Sequence, residues 1–356
     1  MRLRKKIHRI KPRIKNFFSK KILARLDEEG IFLAKLYYFF LDSSFNREML
    51  SVLLGKKVHN SRNENLESNQ AFLRRSTHRI EKGLIVPKQK KHYALGYIYD
   101  TCRILRVTYK DIDEKSLSWV VDVLDAYFKR ADDTLDVIKK SKKEFDAIRS
   151  KISIQQEPNI KSIPFEHKEL EASKIAFSDY LKLTERRHSV RYFENGLVDK
   201  TLIENAVSAG LQSPSACNRQ PFEVLVLQDK NVISKAVELP MGVQTFKDEI
   251  KNLAIVLGDL SYYSEERDRH IIYIDSGLFV MSFVLGLEAQ GLSSCVINWP
   301  DIEERENSLY KQFKIPKHKR CICFIAFGYA KSKGLVPFSE KKEASDIVMY
   351  NEYSNR

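Results

Sequence analysis

The chain has 356 residues, of which 43% are hydrophobic and 30% charged, enough length for two domains and too much apolar content for wholesale disorder. Lys and Arg exceed Asp and Glu by 61 to 47, a formal net charge of +14, but residues 1–25 alone hold eleven Lys or Arg and no acid, leaving +3 for the rest. The basic character belongs to a tail, and because no base-reading motif accompanies it, no nucleic-acid partner is expected.

The five cysteines, Cys102, Cys217, Cys295, Cys321 and Cys323, show neither disulfide nor zinc spacing, and a reducing, cytoplasmic compartment follows. Cys321 and Cys323 alternate in an apolar run and are expected on one face of a strand as small buried residues.

No apolar core with a cleavage site follows the first charges, so no secretory signal is expected. Phe17, Phe18, Ile22 and Leu26 fall on one side of a helix with Lys and Arg around them. This pattern suits the anionic inner face of a membrane, to which the protein would bind peripherally, and equally a solvated arm. The aromatic run 31–41 is too short to cross a bilayer, which takes ~20 apolar residues.

Residues 55–70 are polar and aperiodic and read as a linker, so 1–69 is taken as arm, helix and linker. Apolar residues then recur at helical spacing, first Leu95, Ile98, Cys102, Leu105 and Tyr109. A second stripe runs through Leu117, Val120, Val121, Leu124, Phe128, Ala131, Leu135 and Ile138, and an α-helical module is expected over 70–150. Within it, Thr77-His78-Arg79-Ile80-Glu81-Lys82-Gly83-Leu84 reads as a salt-bridged helix ending at glycine. The stretch 151–172, with Pro158 and Pro164, is the expected domain linker.

Beyond it helix and strand patterns alternate over 173–350. Helices are expected at 173–187 and 200–212, the second capped by Asp199. Strands are expected at 222–227, 253–257, 294–297 and 321–327. A helix at 271–289 is apolar nearly all round and should lie in the middle of something.

Two blocks in this half carry the chemistry. Arg186-Arg187-His188-Ser189-Val190-Arg191 gathers guanidinium, imidazole and hydroxyl donors, the set that holds a phosphate dianion by charge-assisted hydrogen bonds. Ser213-Pro214-Ser215-Ala216-Cys217-Asn218-Arg219-Gln220 puts a turn of small residues before two amides able to read the edge of a polar ring. No GxGxxG, Walker A or HExxH motif competes, and the histidines lie in no arrangement with a nucleophile.

These two blocks, in this order, resemble those of the nitroreductase family of FMN-dependent oxidoreductases. Two later stretches agree: Asp275-Ser276-Gly277 through Gly291 to Asn298, and Ile325-Ala326-Phe327-Gly328-Tyr329. The resemblance covers about half the chain and implies an α+β class. It points to a nitroreductase-like three-layer α/β/α sandwich, preceded here by the helical module. It also implies a homodimer, FMN as cofactor, NADH or NADPH as electron donor, and ping-pong transfer to a small-molecule acceptor.

By resemblance Arg187 and Ser189 meet the FMN phosphate, with His188 beside them, and Arg191 reaches the ribityl chain or the pyrimidine carbonyl. Pro214, Ser215, Ala216 and Asn218 approach the flavin from the partner subunit, and the Asn298 amide faces its N5. Lys341 or Lys342 supplies a second phosphate cation in place of the family's usual Arg. Trp299 and Pro300 stand where smaller residues are usual. The Thr77–Leu84 stretch resembles a block in long nitroreductase-like proteins encoded among polysaccharide-synthesis genes. A non-catalytic scaffold flavoprotein of such a pathway and a flavin-fragmenting relative are the alternative readings.

Overall fold

The computed structural model describes residues 30–61, 66–86, 92–153 and 161–352. The basic arm, residues 1–25, lies outside them. A short helix, α1 (Ile31–Leu36), continues as a π-helical turn over Tyr37–Leu41, leaving Phe32, Phe39 and Phe40 exposed. Next comes α2 (Asn46–Asn60). Its existence corrects the expectation of a linker from residue 55. The helix is polar along most of its length yet docks on the C-terminal half, where Val52 packs with Leu260, Tyr263 and Ile272. Arg47 forms ion pairs with Asp301, Glu303 and Glu306. Gly55 permits that approach, since a Cβ there would stand 2.7 Å from the Leu260 Cβ and 2.8 Å from its backbone.

The helical module consists of α3 (Leu66–Leu84), α4 (Ile98–Thr108), α5 (Glu114–Phe128) and α6 (Asp136–Arg149). Its core joins Leu73, Ile80, Ile98, Leu105, Val121, Leu124, Tyr127 and Phe145. The apolar stripe expected to run on from Leu117 to Ile138 is broken between α5 and α6, where the Asp132 carboxylate accepts from the Thr134 N–H at 3.0 Å and so offers the backbone a turn in place of the next helical bond.

The C-terminal half is built on four antiparallel strands, β1 (Phe222–Leu227), β2 (Asn252–Asp259), β3 (Ser293–Asn298) and β4 (Lys319–Gly328), in the order β1-β2-β4-β3. Five helices accompany it: α7 (Phe177–Arg186), α8 (Lys200–Gly210), α9 (Lys230–Ala236), α10 (Ile271–Ala289) and α11 (Glu303–Phe313). Asp199 caps α8 through the Thr201 N–H at 2.8 Å. On one face Ala254, Val256, Ile325 and Phe327 pack with Phe279 and Phe283 of α10 and Ala206 of α8. On the other, Leu253, Ile255, Phe324 and Ala326 pack with α9 and α11. The result is the three-layer sandwich expected. α10 is long and apolar enough to span a membrane, but here that character serves burial against the sheet, with Asp275 and Glu288 also buried.

Cys321 and Cys323 do not share a face. The β2–β4 register shifts after Val256, which pairs with Cys323 while Leu257 pairs with Cys321. This bulge puts Cys321 in one core layer and Cys323 in the other, since one extra residue reverses the alternation. Burial raises both thiols, Cys323 to about 12 and Cys321 well above its ordinary value, as expected of inert packing residues.

Candidate functional site

The first block begins where α7 ends. Arg187 turns out of the helix into extended backbone (φ −65°, ψ 112°), and the chain then runs along the open edge of β3. Ser189 bridges to Ser294, the Val190 N–H donates to the Ser294 carbonyl at 3.0 Å, and the Glu194 N–H donates to that of Tyr329 at 2.8 Å. Val190 and Phe193 are buried and fix the segment, leaving Arg187, His188, Ser189 and Arg191 half-buried at the sheet edge. Arg191 donates to the Ser189 carbonyl at 3.2 Å and lies 5.9 Å from the Phe246 ring centre. The His188 Nδ1 is 2.9 Å from the Arg186 carbonyl oxygen.

One acid stands behind this cationic cluster. Glu288, at the end of α10 and 4% exposed, lies 3.3 Å from the Arg186 Nε. Burial raises its pKa, against the opposing pull of Arg186, Arg187 and His188. Sequence reasoning missed this residue, which looks there like one more helix glutamate.

The second block is a tightly held loop. Cys217, Asn218 and Gln220 all have φ between 52° and 56°, a conformation non-glycine residues adopt uncommonly and keep only when their surroundings impose it. Those surroundings are visible. The Asp275 carboxylate accepts from the Ala216 N–H at 3.0 Å and from the Tyr263 hydroxyl at 3.2 Å. The Ser215 hydroxyl accepts from the Gln220 N–H at 3.1 Å, and the Gln220 amide donates to Asn218 Oδ1 at 3.0 Å. From the helical module, Arg74 Nε donates to the Asn218 carbonyl at 3.2 Å. Burial raises the pKa of Asp275, partly offset by these donors and by Arg219. Neither Asp275 nor Arg74 stood out in the sequence as a support for this loop, because both act from segments distant along the chain.

The two blocks do not meet within one chain. Ser189 sits beside Ser294, at the β3 edge of the sheet. Pro214 to Gln220 lead into Phe222 of β1, the opposite edge strand. Three strand spacings of ~4.8 Å separate those edges, and the registers place Ser294 and Phe222 at opposite ends of the sheet as well. Asn298 is exposed at the far end of β3. Trp299 turns away into the core, stacked on Phe324 with ring centres 5.2 Å apart. Lys341 and Lys342 lie in the exposed segment after β4; the described contacts of Lys341 go to Ser339 and Glu340 in its own turn, and the structure does not bring either lysine to Arg187. Among the described residues no group of three His, Cys, Asp or Glu is placed to hold a metal ion.

The chain matches the nitroreductase family model over residues 184–254 and 249–329. A protein of Methanothermobacter thermautotrophicus, provisionally named NADH dehydrogenase/NAD(P)H nitroreductase, is 22% identical over 157 residues, 44% of this chain and 80% of that protein. Among solved structures, an FMN-dependent nitroreductase of Clostridium difficile is 18% identical with a TM-score of 0.41, covering 49% of this chain and 99% of its own. A nitroreductase family protein of Streptococcus pneumoniae is 21% identical with a TM-score of 0.42, covering 48% and 99%. The segment 184–329, which holds both donor blocks and all four strands, belongs to the nitroreductase family.

Proposed function

We propose that the chain is an FMN-dependent oxidoreductase of the nitroreductase type, passing electrons from NADH or NADPH to a small-molecule acceptor by a ping-pong mechanism. The observation that carries this reading is the phosphate block: three half-buried donor side chains, Arg187, Ser189 and Arg191, pinned by backbone hydrogen bonds to β3 inside the matched family segment. The donor set fits the cofactor. Two guanidinium groups and a hydroxyl suit a phosphate dianion, and the small residues Pro214, Ser215 and Ala216 leave room for a ring to approach the backbone. When bound, FMN supplies the hydride chemistry; the protein binds, orients and shields. Arg187 and Ser189 would grip the phosphate, Arg191 the polar chain beyond it, and the loop amides of Asn218 and Gln220 a ring edge.

The placement of the blocks at opposite sheet edges favours a C₂ dimer in which each subunit completes the other's site. The outer face of α10 exposes Ile274, Leu278 and Met281 in helical register, and the segment after β4 exposes Leu335 (88%), Phe338 (81%) and Tyr350 (83%). These exposed apolar side chains support that reading.

The test is the visible spectrum of the purified protein before and after anaerobic NADH or NADPH, with FMN counted per subunit. About one FMN per subunit, bleached by the donor, is expected. Replacing Arg187 with Ala removes a charge-assisted bond of ~1.5–3 kcal/mol and weakens FMN at least about tenfold. Unchanged affinity in that variant contradicts the assignment.

A further inference from the structure

A cavity of about 670 Å³ lies between the helical module and the nitroreductase-family domain. The module contributes Arg74 from α3 and Lys115, Ser116 and Trp119 from α5; the domain contributes the end of α8 and the loop residues Pro214, Asn218 and Gln220. Its size suits a small organic ligand, and neither half encloses it alone. The lining has two cations, several hydroxyls and side-chain amides, one indole, and no carboxylate.

The cation at its wall is held ready. Besides its bond to the Asn218 carbonyl, Arg74 donates to the Ser116 hydroxyl at 3.3 Å, and its guanidinium lies 5.4 Å from the Trp119 ring centre. The described hydrogen bonds of Arg74 thus end on neutral oxygens, which orient its charge, while the Asp113 carboxylate acts on it through space. The indole is fixed in turn by its own N–H, which donates to Glu81 at 2.8 Å. Next to Arg74 in the chain, Arg75 carries a buried Nε with no hydrogen-bond partner among the described residues, as does Arg219 of the loop, which is only 5% exposed and lies over the Tyr263 ring. Burial, and then the neighbouring Arg219 and Arg79, lower the pKa of Arg75 against the opposing pull of Cys217 and Asp268. Arg74, Arg75, Arg79 and Glu81 all belong to α3 and adjoin or lie in the Thr77–Leu84 stretch, which the flavin reading leaves without a role.

We propose that this cavity binds an organic anion, a phosphate- or carboxylate-bearing molecule with a planar ring, held by Arg74 and Lys115 and packed on Trp119. Three of its lining residues, Pro214, Asn218 and Gln220, belong to the loop read as facing the flavin. On that reading, which this assignment of the ligand's role rests on, the anion is the flavin's redox partner, either the nicotinamide dinucleotide through its diphosphate or an anionic acceptor. The helical module then serves as the specificity wall of the enzyme.

The test uses the full-length, FMN-loaded protein and inorganic pyrophosphate as probe, titrated by calorimetry into wild type, Arg74→Ala, Lys115→Glu and Arg187→Ala. Lys115 is exposed, so its charge reversal spares the fold and keeps the test valid should Arg74→Ala misfold. Pyrophosphate binding weakened at least tenfold by Lys115→Glu and Arg74→Ala but retained in Arg187→Ala supports the site. Binding unaffected by the first two, or lost only in Arg187→Ala, overturns it.

Steady-state kinetics separates the sources. A rise in KM for the nicotinamide donor alone assigns the dinucleotide, a rise for an anionic acceptor alone assigns the acceptor, and no change in either rejects the redox role. Protein that carries no FMN yet loses pyrophosphate binding in Lys115→Glu keeps the anion site and sinks the flavin reading, so the two failures are distinguishable.

Discussion

Asp275 shows how one buried carboxylate can hold a strained loop. It is 3% exposed and accepts both the Ala216 N–H and the Tyr263 hydroxyl, so Asp275→Ala leaves the buried Tyr263 hydroxyl and the half-buried Ala216 N–H without that acceptor and should cost roughly 1–3 kcal/mol. Asp275→Asn keeps an acceptor but removes the titration. Burial raises the native pKa of Asp275 above the ordinary 3.8. The native state therefore holds the proton more tightly than the unfolded chain, and this group's contribution is full below about pH 4 and lost as pH rises through the native value. Urea melts of wild type and Asp275→Asn should show the variant gaining on the wild type as pH rises from about 4 toward neutrality. A stability difference independent of pH over that range would contradict the burial argument. This support role was not legible in the sequence, where Asp275 opens a stretch that resembles the family's but nothing ties it to the loop. What makes it a support is Ala216, 59 residues away, and only the packing of α10 beside the loop brings the two together.

Elements were legible where one period dominates. The four strands and α10 emerged within a few residues, because continuous apolar runs bounded by turns leave little choice. The failures share a cause in tertiary contact. Residues 55–60 look like a polar linker yet extend α2, since its stability comes from ion pairs of Arg47 and from contact with Leu260 rather than from its own apolar stripe. The Cys321 and Cys323 expectation failed at a bulge, a single-residue insertion that no periodicity announces. Gly55 offers the sharpest test of the first point. A side chain there meets Leu260 backbone atoms at 2.8 Å, which cannot yield as a flexible side chain would. Gly55→Val should cost about 1–3 kcal/mol of overpacking and release α2, giving a new cleavage site within residues 30–61 under limited proteolysis. An unchanged digestion pattern and melt would show that the docking does not depend on close approach.

At the scale of the whole molecule, the donor blocks are legible as types but not as a site, for one chain places them at diagonal corners of its sheet. Only the resemblance implied a second subunit. The exposed apolar face of α10 and the extended segment after β4 now give that proposal a surface, and sedimentation should find a dimer as the FMN-binding species; a monomer holding FMN tightly would contradict it. The N-terminal part of the chain carries a different kind of surface. Phe32, Phe39 and Phe40 are 69%, 81% and 71% exposed on α1 and its π-helical turn, directly after a tail that holds eleven of the chain's 61 Lys and Arg. We propose that the two act together as a peripheral attachment to an anionic membrane face, the charges drawing the chain in and the aromatic rings entering the headgroup boundary. Each Lys or Arg near such a surface contributes about 1 kcal/mol, screened within ~8 Å at physiological salt, so attachment should be reversed by salt. Vesicles of mixed anionic and neutral phospholipid should sediment the full-length protein at low ionic strength and release it at high. Deleting residues 1–25 should abolish that binding with FMN content unchanged. The pair Phe39→Ser and Phe40→Ser should weaken it while leaving its salt dependence intact, because the rings act through apolar burial and not through charge. If the full-length protein stays in the supernatant at low salt, the arm is a solvated tail and the exposed rings belong to a protein contact.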